Sequence, residues 1–93
     1  MKINDIDYNI KFNLRSMLLF EQITGKIFEI KTLTDEYILF YACILANNKD
    51  TNMTFDDFLN HVDEHPELFI EFSEILKAEN ERRMILMDQS KKK

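Results

Sequence analysis

Residues 37–46 read Tyr37-Ile38-Leu39-Phe40-Tyr41-Ala42-Cys43-Ile44-Leu45-Ala46, ten apolar or aromatic positions without a charge, a glycine or a proline. A helix that is apolar on every side has no wet face, so this stretch belongs in the middle of a core. As a helix it spans about 15 Å, half of a bilayer's hydrocarbon thickness, so it is not a membrane span. A buried strand is the competing local reading, because a short apolar run does not reveal its period. The flanks favour a helix. Thr34 can cap it, Asp35 and Glu36 suit the positive end of its dipole, and Asn47-Asn48 can close the far end. Tyr37, Ile38, Phe40, Tyr41, Ile44 and Leu45 are the expected structural core.

What flanks the run sets the fold class. Gly and Pro occur once each in 93 residues, which argues against a loop-rich all-β chain and for long helices. At the start, Ile6, Tyr8, Ile10 and Phe12 alternate with Asp7, Asn9 and Lys11, the period of a half-buried strand. Ile3 precedes them, and Asn4-Asp5 suits a tight turn, so a short hairpin is expected, lying on the helices. Asn13 then caps a helix over 14–24 with a broad stripe of Leu14, Met17, Leu18, Leu19, Phe20 and Ile23, and Gly25 fits the left-handed position past its end. Residues 27–31 alternate weakly and either form a short strand or run extended. The central helix is expected from about residue 35 to 46. The polar stretch 47–52 follows as the loop most open to motion.

Thr54 opens the next helix, with Asp57 three residues on as a capping box. Its apolar face is Phe55, Phe58, Leu59 and Val62, and it stops near Glu64 because the residue before Pro66 disfavours helix. Pro66 starts another helix carrying Leu68, Phe69, Phe72, Ile75 and Leu76. The expected architecture is α+β and predominantly α: an N-terminal hairpin packed on about four helices around the central hydrophobic one. Residues 1–83 form one domain, and 84–93 form an apolar then Lys-rich tail.

The chemistry-bearing patterns are sparse. His61-Val62-Asp63-Glu64-His65 matches H-x-x-E-H, a zinc pattern that needs both histidines on one helical face. Pro66 follows at once and puts His65 at the helix break, so a solvated helix end is the better reading. Residues 50–61 lack the glycine and the last glutamate of a calcium loop. Thr24-Gly25-Lys26 lacks the first glycine of a phosphate loop. The single cysteine rules out an internal disulfide framework, and Cys43 is read as a small buried hydrophobe. No catalytic set, metal site or cofactor is expected.

A net charge of −5 and a pI near 4.9 argue against a nucleic-acid partner. Two features are candidate binding surfaces. One is acidic: over 54–81 the acids Asp56, Asp57, Asp63, Glu64, Glu67, Glu71, Glu74, Glu79 and Glu81 face the single base Lys77. Glu67, Glu71 and Glu74 take the outer face of the last helix, where they either steer a basic partner or serve solubility. The other is Met84-Ile85-Leu86-Met87, which either packs back on the core or presents an adaptable apolar segment to a partner. Spare apolar segments also suit a homo-oligomer.

The order of the first two-fifths carries a resemblance. The hairpin segment, residues 3–12, runs straight into residues 13–26, which end Glu21-Gln22-Ile23-Thr24-Gly25-Lys26. This resembles the tail assembly chaperones of long-tailed bacteriophages, which often have a strand, a helix ending in a Glu-x-x-Thr-Gly-Lys-like sequence, then a hydrophobic and an amphipathic helix. The resemblance implies a non-enzymatic factor of the host bacterial cytoplasm, absent from the finished virion. It implies as partners the helical tape-measure protein and the tail-tube protein. In many such phages a translational frameshift yields a longer form, and Lys91-Lys92-Lys93 suits that arrangement. The rival reading is a small acidic regulatory module, antirepressor- or antitoxin-like, that masks a basic protein.

Overall fold

The computed structural model describes the backbone of residues 1–3 and 5–91 and the side chains up to Arg82. The fold is α+β and predominantly α, with four helices and a short N-terminal hairpin among the described residues. Strands β1 (Lys2–Ile3) and β2 (Ile6–Asp7) pair antiparallel, Lys2 opposite Asp7 and Ile3 opposite Ile6. Asp5 takes the left-handed turn conformation at φ 64°, a region that Asp tolerates. The helices are α1 (Leu14–Thr24), α2 (Leu33–Asn47), α3 (Phe55–Glu64) and α4 (Glu67–Lys91).

The strand is shorter than its alternation suggests. Pairing ends where the Tyr8 amide donates to the Met1 carbonyl at 2.8 Å. Beyond that, residues 9–13 form no further strand and meet helix-end side chains instead. The Asn48 amide takes both main-chain groups of Asn9: its Oδ1 accepts from the Asn9 N–H at 3.0 Å, and its Nδ2 donates to the Asn9 carbonyl at 2.7 Å. Asn47 Nδ2 donates to the Lys11 carbonyl at 3.0 Å, and Asn13 Nδ2 donates to Asn47 Oδ1 at 2.9 Å. Ile3 and Phe12 enter the core, Tyr8 and Ile10 are half-buried, and Ile6, expected on the same inward face, is exposed. Asn47 and Asn48, read from sequence as the start of a mobile loop, are thus the residues that fasten the N-terminal segment to α2.

The starts of α1, α2 and α3 are each capped by a side chain. The Asn13 side chain accepts from the Ser16 amide, and Gly25 closes α1 at φ 71° with its N–H on the Glu21 carbonyl. Thr54 and Asp57 form the expected capping box of α3. The α2 cap differs from expectation. Thr32, not Thr34, receives the Asp35 amide, and the Asp35 carboxylate returns to the Thr32 N–H. The reason is spacing: a capping box needs its acid three residues on, which Asp35 supplies for Thr32 while Tyr37 stands at that place for Thr34.

α2 is buried on all sides over its middle. Leu39, Phe40, Ala42, Cys43 and Ile44 are almost completely covered, and Tyr41 nearly so. Tyr37, Ile38 and Leu45, expected in the core, are half-buried and pack against it, because they lie toward the helix ends. α1 and α2 make the closest helix pairing, helped by the small buried Ser16 and Cys43, which touch. On its other side α2 meets α3 and α4 through rings. Phe40 stacks on Phe72 at 4.4 Å and meets Phe58 edge-on at 4.9 Å; Tyr37 stacks on Phe69 at 4.6 Å. The expected broad stripe of α1 is narrower in fact. Phe20 is buried and Met17 and Leu19 are half-buried, whereas Leu14, Leu18 and Ile23 are exposed. A helix resting on one neighbour buries one face only.

Candidate functional site: an apolar groove beside α4

The segment joining α1 to α2, residues 25–32, has no regular structure, yet each of its anchors is specific. The Glu21 carboxylate accepts the Phe28 amide at 2.6 Å. Thr24 Oγ1 donates to the Phe20 carbonyl at 2.9 Å and accepts from the Lys26 amide at 3.2 Å. Gly25 supplies the left-handed turn. Lys26 Nζ lies 3.7 Å from the Asp35 carboxylate, which also accepts the Lys31 and Thr32 amides at 3.0 and 3.2 Å. Asp35 is buried. Its pKa is lowered mainly by the Lys31 N–H, with Thr32 and Lys26 acting in the same direction against burial. Glu21, Thr24, Gly25 and Lys26 are therefore one latch that sets the path of this segment.

The latch places Phe28 where its ring meets Phe20 edge-on at 5.2 Å and Phe12 at 5.9 Å. Phe28 and Ile30 then form one wall of an open groove of about 520 Å³. Phe69 and Leu76 of α4 form the other wall, and buried Leu39 and Phe72 form the floor. The rim is polar: Glu36 from α2, and Ser73, Lys77, Asn80 and Glu81 from α4. The groove is thus an apolar trough with a few polar edge groups.

A second, polar cleft of about 870 Å³ lies between the hairpin and the α2–α3 connection, with Asp7, Asn9, Asn48, Asp57 and His61 among its lining. The Asn9–Asn48 pair is satisfied within it. Tyr41 donates its hydroxyl to the Met53 carbonyl at 2.6 Å and holds that connection down; burial, and then the Asp57 charge, raise its pKa.

The residues singled out from sequence fall in different places. Glu67, Glu71 and Glu74 are exposed on α4 and do not line the groove, although Glu74 lies one turn before Lys77 of its rim. The expected partner-binding group Met84, Ile85, Leu86 and Met87 lies outside the residues whose side chains are described, as do Lys92 and Lys93 entirely. His65 caps α3 with Nδ1 3.3 Å from Glu67, whereas His61 lines the polar cleft. Among the described residues no three of His, Cys, Asp and Glu are grouped to hold a metal ion. Burial pushes the Cys43 thiol up to about 12, only partly offset by Ser16, so at neutral pH it is a thiol and no nucleophile. Among the described residues no helix is long and apolar enough to cross a membrane.

Sequence reasoning missed the groove itself, because Phe28 and Ile30 sit in a stretch without clear period. Asp35 does lie in the first turn of α2 and Asn47-Asn48 do close its end, as expected, but the bonds that Asp35 makes to the 31–32 backbone and that the asparagines make to residues 9–13 were not foreseen. The Thr32-x-x-Asp35 pattern was a signal that could have found the first of these. No family model matches the chain, and neither a curated protein nor a solved structure matches it.

Proposed function

We propose that the chain is a tail assembly chaperone of a long-tailed phage, a non-enzymatic factor that binds the tape-measure protein and aids tail-tube assembly in the host bacterial cytoplasm. One observation supports this reading above the others. The Glu21, Thr24, Gly25 and Lys26 set that carries the family resemblance is also the latch that positions Phe28 and Ile30, and these form a wall of the apolar groove. The residues that mark the resemblance thus shape a surface suited to an apolar client. A holder of aggregation-prone helices needs such a surface inside a charged exterior. The exposed Leu14 and Leu18 on the outer side of α1 suit self-association, so a homo-oligomer is part of the proposal.

Co-expression tests it. A tape-measure fragment that is insoluble alone should become soluble with this chain and co-purify with it. If the fragment stays insoluble, the proposal fails. The exposed acids of α4 favour a second reading, a regulatory module masking a basic protein, for which co-purification with a neighbouring toxin or repressor instead of the tape measure would be the sign.

A further inference from the structure

The groove is long in one direction. Its α4 wall extends from Phe69 to Glu81, and at 1.5 Å per residue that is about 18 Å, or roughly three helical turns. A partner helix of that length presents a ridge at i, i+3 or i+4, and i+7. The surface such a ridge would meet is apolar over the two turns from Phe69 to Leu76, with Phe28 and Ile30 on one side, Phe69 and Leu76 on the other and Phe72 beneath, and it ends on the polar Lys77, Asn80 and Glu81. All but Phe72 are half-buried and so still have surface left to cover.

The rim adds a sign. Glu36 stands on the α2 edge, and Lys77 and Glu81 on the α4 edge. Lys77 has Glu74 three residues before it and Glu81 four after it, its neighbours on the helix surface. These acids outweigh the one base, and the edge is net negative.

We infer that this groove docks a single amphipathic α-helix of about three turns, apolar ridge inward, with Lys or Arg along its flanks against Glu36, Glu74 and Glu81. The inference takes the helical nature of the client from the chaperone reading and adds the site, the charge and the length. It commits to one basic-flanked helix; a second copy of this chain or an acidic segment in the groove would contradict it.

The test uses the full chain and two labelled helical peptides of about 18 residues, enough to overlay the groove. They share one Leu ridge and differ only in Lys or Glu flanks. Fluorescence anisotropy at low salt should show the Lys-flanked peptide binding about tenfold tighter. Ser73 lies in the groove, is exposed, and among the described residues bonds only to its own helix at the Phe69 carbonyl. Ser73→Trp therefore fills the trough without removing a core side chain, and should weaken that binding about tenfold or more with an unchanged circular dichroism spectrum. Glu74→Lys with Glu81→Lys, both on the exposed face, should turn the preference toward the Glu-flanked peptide. Equal binding of the two peptides by the wild type, or an unchanged preference in the charge-reversed variant, overturns the inference. So does full binding by a folded Ser73→Trp chain, or a groove that sedimentation shows to be blocked by a second copy. Rescue of a tape-measure fragment that persists in Ser73→Trp also removes the groove while leaving the chaperone reading standing. Failure of rescue by the wild type removes that reading, and the peptide titrations still decide the groove.

Discussion

Phe40 and Asn47 sit about two turns apart on α2 and hold the molecule together by different means. Phe40 is completely buried between the rings of Phe58 and Phe72. Asn47 is half-buried and bridges the Lys11 carbonyl, the Asn13 side chain and the Cys43 carbonyl by hydrogen bonds of 2.7 to 3.0 Å. Toward α3 and α4, packing without direction dominates, and its strength follows buried area. Toward the N-terminal segment, Ile3 and Phe12 also enter the core, but between them directed bonds set the path of the chain, since a displaced amide loses its bond entirely. The aromatic side supplies stability; the polar side fixes where an otherwise irregular chain runs. The same division holds at the groove, whose α4 wall is packed and whose 28–30 wall is latched.

The largest expected effect is on the aromatic side. Phe40→Ala should cost about 3–5 kcal/mol, because the cavity it leaves lies between two rings on different helices. Urea unfolding measures it, and a loss under 1 kcal/mol would mean that those rings do not hold α2 to α3 and α4. Asn47→Ala should cost less, about 1–3 kcal/mol, since it strips partners from part-buried groups. Its distinctive sign is local: amide exchange should speed up over residues 9–13 well before the α3 amides follow. Uniform acceleration would erase the proposed division.

Asp35→Asn separates the two sides by pH. Asp35 has its folded pKa held below the ordinary carboxylate value, chiefly by the Lys31 N–H. Its contribution is therefore present above the unfolded pKa of about 3.9 and is lost as pH falls through the folded value. Stability followed by urea midpoint should decline in acid for the wild type and decline less steeply for Asp35→Asn. Parallel acid limbs would show that the α2 cap carboxylate is not part of the acid response.

The two sides also differed in how far they could be read from sequence. The bounds of α1 and α3, the Asn13 and Thr54 caps and the Gly25 stop were legible, since each rests on local spacing and on residue types with one strong preference. The central burial of residues 39–44 followed from the unbroken apolar run. The polar side was not legible. An asparagine pair after a helix looks like any loop start, and only the folded chain brings Asn9 and Lys11 to Asn48 and Asn47, some 36 to 39 residues away. The exposed Leu14, Leu18 and Ile23 show the converse: apolar spacing marks what a helix offers, and the number of neighbours decides what it buries. The groove escaped notice for both reasons, as one wall comes from an unpatterned segment held by Glu21 and Asp35.

The latch is expected to shape the groove and to add little to global stability. Glu21→Ala tests it most directly, because it removes the carboxylate from the Phe28 amide and leaves the aromatic side intact. A loss of about 1 kcal/mol or less in urea unfolding is expected, together with about tenfold weaker binding of the Lys-flanked helical peptide. Unchanged peptide affinity in a folded Glu21→Ala chain would contradict it.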